Sequence, residues 1–204
     1  AAPLGLWAWS QGTWAAALAA RSAEVAFLVL LAACGVSPAV QMRYGTAEHL
    51  RRNGFGDDEA QRELIELRAA LEGAMRGRLG IEQAQAVVDR YAERPWFPLA
   101  WVPSTLDPSR SWPDMDYDPA PILASVRCPV LLFYGEEDEW TPIEPSIAAW
   151  RQAAARAGNG ALTIVRLAGA DHAPTLGGRE ERGAISPAYT RALTEWLDRR
   201  LAAR

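Results

Sequence analysis

Val25-Ala-Phe-Leu-Val-Leu-Leu31 runs for seven residues without a polar side chain. A strand with one wet face alternates apolar and polar positions. A run that is apolar on both faces instead predicts a strand covered on both sides of a parallel sheet. Pro129-Val-Leu-Leu-Phe-Tyr134 and Leu162-Thr-Ile-Val-Arg-Leu167 read as two more strands, and Leu4-Gly-Leu-Trp-Ala-Trp9 as a short buried one ahead of them. Helical stretches fall between and after these runs. Gln11 to Arg21 is Ala-rich, and helical patterns cover Pro145 to Ala157 and Pro187 to Leu201. Strand and helix alternate, which predicts the α/β class, with a parallel sheet wound by crossovers.

One segment breaks that rhythm. Residues 36–121 read as a helical insertion between two core pieces, 1–35 and 122–204. Leu64, Leu67, Leu71 and Met75 form one apolar stripe behind Asp57-Asp58-Glu59, acidic residues that suit the positive end of a helix. Ile81, Ala84, Val88 and Tyr91 form a second stripe. After Pro95 comes a Pro- and Trp-rich stretch with Trp96, Phe97, Trp101 and Trp112, too irregular for a helix and too apolar for a solvated linker. The insertion is read as a cap over one edge of the sheet, whose aromatics fill a satellite core, line a pocket, or do both.

Composition removes several function classes. The net charge is -4, so there is no electrostatic footprint for nucleic acid. All 21 basic residues are Arg, and without Lys there is no Schiff base, Walker-type phosphate loop or Ser-Lys dyad. Two cysteines, Cys34 and Cys128, and two histidines, His49 and His172, fall short of a zinc cluster. Both cysteines are expected as free thiols, and neither a metal nor an organic cofactor is expected. Ala23 to Ala33, the longest apolar stretch, contains Glu24 and is far shorter than the roughly 20 residues of a membrane span. No basic leader opens the chain, so the expected location is cytoplasmic, with no membrane partner.

Chemistry is concentrated at three turns. Ala8-Trp9-Ser10-Gln11-Gly12 joins a strand to a helix, where a sharp turn would expose Ser10 as a nucleophile. The small residues at positions 8 and 12 are what close strand-helix packing requires, although Ala8 stands where Gly is usual. The competing reading makes Ser10 a helix cap. Gly135-Glu-Glu-Asp138 leaves one strand and Gly169-Ala-Asp-His172 another, so a carboxylate and an imidazole both emerge at carboxyl ends, where wound α/β sheets place active sites. Glu136, Glu137, Asp138 and Asp171 all compete for the acid role, with Asp171 poorly placed beside His172 on the same backbone. His49, between Glu48 and Arg51, is expected on a solvated face.

These motifs resemble the alpha/beta-hydrolase superfamily, in particular bacterial esterases and related serine peptidases. The resemblance rests on Ser10-Gln-Gly-Thr-Trp14, on Cys128-Pro-Val-Leu-Leu-Phe-Tyr-Gly-Glu-Glu-Asp138 with Thr141-Pro142 behind it, on Gly169-Ala-Asp-His172, and on the chain order Ser, acid, His. It implies Ser10, Asp138 and His172 as a catalytic triad, Asp138 being the loop position used by the family. It also implies the Gln11 backbone N–H as an oxyanion donor. Trp9, Trp96, Trp101 and Trp112 are candidate substrate-binding residues. The resemblance covers both ends of the chain well and the insertion poorly.

The family's nucleophile strand is the fifth of eight, so the chain is expected to supply the last four strands, the nucleophile strand first, with the amino-terminal strands missing. The first strand would then be an open apolar edge, and a missing amino-terminal half or a second copy of the chain are the partners expected there. A second oxyanion donor would lie in that missing half. The expected reaction is hydrolysis of a small acyl ester, with a short peptide-like substrate as the alternative and an inactive ligand- or partner-binding relic as the reading from outside enzymology.

Overall fold

A computed structural model describes residues 3–21, 24–177 and 183–202, and they fall into two compact units, residues 1–36 with 118–204 and residues 37–117. In the first unit β1 (Leu4–Trp9), β2 (Val25–Leu31), β3 (Val130–Gly135) and β4 (Leu162–Leu167) form a parallel sheet in the order β1-β2-β3-β4. Trp9 lies beside Leu31, Leu31 beside Phe133, and Phe133 beside Val165, so all four carboxyl ends share one edge.

Alternation along each buried strand divides the core into two layers. Leu28, Leu30, Val130, Leu132 and Tyr134 face one cluster with Ala16 and Ala17 of α1 (Gly12–Ala19) and Ile147 and Trp150 of α6 (Ile143–Ala157). Val29, Leu31, Leu131 and Phe133 face the other, with Tyr189 and Trp196 of α7 (Pro187–Ala202). Burying each of these side chains contributes about 1.5–3 kcal/mol, which is why runs with no polar position occupy the middle of the sheet. Tyr134 carries the one polar atom of the β3 run into this core and donates its hydroxyl to the Ala33 carbonyl at 2.7 Å. β1 is different: it sits at the sheet's edge, with Leu4 and Trp7 exposed.

The second unit has its own core. α2 (Pro38–Arg52) starts at Ser37, whose hydroxyl accepts from the Val40 N–H, and α3 (Asp58–Met75) at Asp57, whose carboxylate accepts from the Ala60 N–H at 2.9 Å. α4 (Ile81–Tyr91) follows. Leu64 and Leu67 meet Ala84, Val88 and Tyr91 in one cluster with Trp96 and Phe97, so both sequence stripes face one core. α2 has no such stripe: its buried residues are Pro38, Ala39, Gln41, Gly45, Thr46 and Leu50. A small-residue face of that kind leaves no apolar period to read. In the first unit, α5 (Ala120–Leu123) and the two-residue antiparallel strands β5 (Thr175–Leu176) and β6 (Ala184–Ile185) were likewise not legible in the sequence.

Both cysteines are free thiols, as expected. Burial pushes the Cys34 thiol up to about 11, and partial burial raises Cys128 as well. An aromatic disulfide reagent at neutral pH should therefore modify Cys128 in the folded protein and reach Cys34 only on unfolding. Equal rates for the two in the native state would contradict this placement.

Candidate active site

Ser10 follows directly on β1, and its backbone is forced into the left-handed region, φ 53°. Its N–H extends the ladder to the Leu31 carbonyl at 3.0 Å, and its carbonyl accepts from the Thr13 N–H at 3.0 Å and the Thr13 hydroxyl at 2.6 Å. A serine in that conformation is uncommon and strained. The cap position of α1 falls to Gln11, with no side-chain capping bond, so the Ser10 hydroxyl is not spent on the helix. Ala8 is accommodated, because a Cβ built on Gly12 would meet the Ala8 Cβ at 3.8 Å, an ordinary contact. The exposed Gln11 turn presents a backbone N–H that is bonded to no acceptor among the described residues.

The acid loop leaves β3 and the histidine loop leaves β4. Their backbones are joined where Glu136 N–H donates to Leu167 O at 3.0 Å and Glu137 N–H to Ala170 O at 2.8 Å. Gly135 permits this crossing: a Cβ there would lie 2.0 Å from the Asp171 carbonyl oxygen and 2.4 Å from that of Ala170. Gly135→Ala should accordingly destabilise the protein by about 3 kcal/mol or more and pull the two loops apart. A denaturation midpoint equal to wild type would show that the crossing is not tight.

Asp138 is buried, and both its carboxylate oxygens lie 3.0 Å from Nδ1 of His172. Its Oδ1 also accepts from the N–H groups of Trp140 at 2.7 Å and Thr141 at 3.1 Å. A carboxylate only accepts, so the imidazole hydrogen sits on Nδ1 and the Nε2 lone pair is left free. Two of the rival acids, Glu136 and Asp171, hold other partners. Glu136 pairs with Arg166, and Asp171 accepts from Ala173 N–H and the Thr175 hydroxyl within its own loop. Thr141, whose hydroxyl lies 3.5 Å from His172 Nδ1, is a neighbour of the pair that residue-by-residue reading did not single out as functional.

Trp9 links the serine turn to the histidine loop. Its indole N–H donates to the His172 carbonyl at 2.9 Å, and the two rings lie 5.5 Å apart, so Trp9 acts as a strut between them. The other candidate substrate-binding tryptophans, Trp96, Trp101 and Trp112, belong to the second unit. Trp96 is a core residue there, packed on Tyr91 and Phe97 and donating to Glu63 at 3.2 Å. Trp101 and Trp112 line a cavity of that unit. His49 is half-buried and sets its ring edge-on to Trp101 at 6.0 Å, contrary to the solvated face expected of it, because the exposed Trp101 ring folds over that side of α2. Among the described residues no group of three or more His, Cys, Asp or Glu is arranged to hold a metal ion, and no helix is long and apolar enough to cross a membrane.

Known structures share this architecture. The Pyrococcus horikoshii acylaminoacyl peptidase is 13% identical, with a TM-score of 0.50, over 98% of this chain and 24% of its own. A Paleococcus ferrophilus monoacylglycerol lipase is 20% identical over 96% of this chain and 68% of its own, with a TM-score of 0.48. A thermophilic esterase from Thermogutta terrifontis is 22% identical over 97% of this chain and 65% of its own, with a TM-score of 0.46. The chain thus spans about two thirds of the length of the lipase and the esterase. No curated protein sequence matches it. The family model described as the alpha/beta hydrolase family matches residues 1–184. With a parallel four-stranded sheet, its helices on both faces and that match across most of its length, the chain belongs to the alpha/beta hydrolase family.

Proposed function

We propose that the protein is a serine hydrolase of carboxylic esters, with Ser10 as nucleophile, His172 as base and Asp138 as the residue that orients the imidazole. The observation that carries this reading is the His172–Asp138 pair at 3.0 Å, with the imidazole tied through Trp9 to the strained serine turn. In the first half-reaction the Ser10 Oγ attacks the acyl carbon while its proton passes to His172 Nε2. Asp138 stabilises the imidazolium, and the Gln11 N–H stabilises the oxyanion. The tetrahedral intermediate collapses, the C–O bond to the alcohol breaks, and the alcohol leaves with the proton from His172. Water then repeats the sequence on the acyl-enzyme and releases the carboxylic acid. Every proton transfer uses His172, and no step calls for a metal or organic cofactor.

A fluorophosphonate tests the reading, since it phosphonylates an activated serine and leaves an ordinary one alone. We expect one adduct, on the peptide that carries Ser10. Comparing short aryl esters with aminoacyl amides then separates esterase from peptidase, with esters expected to turn over faster. No adduct on Ser10 would overturn the serine mechanism, and faster amide cleavage would overturn the ester assignment. The open β1 edge is, on this reading, the place where a further strand, from an amino-terminal half or a second copy, pairs with the chain.

A further inference from the structure

α3 carries an arginine on its apolar side. Arg68 lies one turn after Leu64 and one turn before Glu72, and only 6% of its side chain is exposed. Its Nε has no hydrogen-bond partner, and its nearest carboxylate oxygen, on Glu72, stands 3.8 Å from its Nη2. Glu72 is fully buried and already committed. Arg43 Nε reaches both of its oxygens at 3.0 Å, and Arg76 Nη1 reaches it at 3.0 Å while also forking onto Asp116 at 2.6 and 2.5 Å. Three guanidiniums therefore converge on one buried carboxylate. Arg43 is half exposed and solvated, and Arg76 has Asp116, which leaves Arg68 as the buried cation whose counter-charge, Glu72 at 3.8 Å, is shared with two other arginines. Arginine does not shed its proton to escape such a site, and a buried ion without a well-formed partner costs several kcal/mol.

Arg68 lines a cavity of about 130 Å³ within the same unit, together with Met42, Leu71, Trp101, Leu106 and Trp112. Two further charged residues, Asp107 and Arg110, line the cavity and are exposed to solvent, and Asp107 is occupied with the Ser109 N–H and hydroxyl. Trp101 holds a left-handed backbone, φ 55°, a conformation that a bulky residue keeps only where its surroundings enforce it. The cavity is close to the roughly 150 Å³ that accepts a benzene-sized apolar body.

We propose that the helical unit binds a small organic monocarboxylate, with the carboxylate on Arg68 and an apolar body of about six carbons against Trp101, Trp112 and Leu106. The guanidinium fork matches a carboxylate in geometry, and the ligand supplies a hydrogen-bonded carboxylate that Arg68 does not have to share. Every residue of this site lies within 37–117, and binding there does not depend on Ser10.

The test is calorimetric titration of the Ser10→Ala protein, so that no turnover intrudes, with sodium hexanoate, hexanamide and sodium acetate. Hexanamide offers the body without the charge, and acetate the charge without the body. Hexanoate should bind at least tenfold more tightly than either. Arg68→Met should lose that margin for hexanoate and leave hexanamide unchanged, with a Tm at or above the parent's because a poorly paired buried charge has gone and Glu72 keeps Arg43 and Arg76. Equal binding of hexanoate and hexanamide, acetate as tight as hexanoate, or a margin that survives Arg68→Met would each overturn the proposal. Comparing the three ligands on the parent protein needs no Arg68 variant, so a variant that fails to fold leaves that result decisive.

Discussion

If the protein hydrolyses esters through Ser10 as proposed, Ser10→Ala should lower kcat by roughly 10⁶, as for removal of the nucleophile in other serine hydrolases, and should abolish fluorophosphonate labelling while the fold survives. The fold survives because Ser10's structural bonds are made by its backbone, the N–H to Leu31 and the carbonyl to Thr13. Both persist in alanine. Ser10→Gly separates activity from stability in a second way. Glycine relieves the left-handed strain at φ 53°, so that variant should be inactive yet more stable, by about 1 kcal/mol. Mass spectrometry of labelled protein and thermal unfolding measure both effects. Residual turnover of Ser10→Ala above a percent would remove Ser10 from the mechanism.

Asp138→Asn should cost up to about 10⁴ in kcat with little change in KM, and the surrounding bonds give the reason. Oδ1 accepts from the Trp140 and Thr141 N–H groups, so the asparagine carbonyl takes that place and its amide nitrogen takes the place of Oδ2, 3.0 Å from His172 Nδ1. The amide hydrogens then face Nδ1, which must accept, and the imidazole hydrogen moves to Nε2, where the lone pair is needed. The base is lost although nothing has moved. Asp171→Asn is the control: its carboxylate accepts from Ala173 and Thr175 in its own loop, so kcat should fall far less. A larger loss from Asp171→Asn than from Asp138→Asn would transfer the orienting role.

The middle of the sheet was legible because β2 and β3 are buried on both faces, and burial of that kind leaves little polar to obscure the pattern. The three turns were legible for a related reason: they follow β1, β3 and β4 directly, so locating Trp9, Gly135 and Leu167 also locates Ser10, Asp138 and His172. Residue spacing alone left the acid open, and only the family resemblance pointed to Asp138. Four carboxylates lie within reach in sequence, and only the folded backbone shows that Asp138 turns inward onto His172 while Glu136 meets Arg166. Trp9 and Trp96 were read as pocket residues because an indole looks the same in a strut, a core and a pocket. Arg68 had a signal that went unread, an arginine four residues after Leu64 and three before Leu71 on an otherwise apolar stripe. A period count of apolar residues passes over the polar one that interrupts it.

β1 is bonded along one side only, to β2, while β3 is bonded on both sides and buried from end to end. Opening free energy is distributed unevenly in such a sheet, with amide hydrogens in the central strands exchanging last and those of a half-paired edge first. Asp138 is therefore expected to hang from a slowly exchanging central strand and Ser10, like His172 on β4, from a faster edge strand, with the Trp9 indole bond joining the serine turn to the histidine loop. The timing of the serine turn is set at the outer edge of β1: any strand that added a ladder there would act as a clamp on the nucleophile, narrowing its excursions without touching the imidazole or the carboxylate.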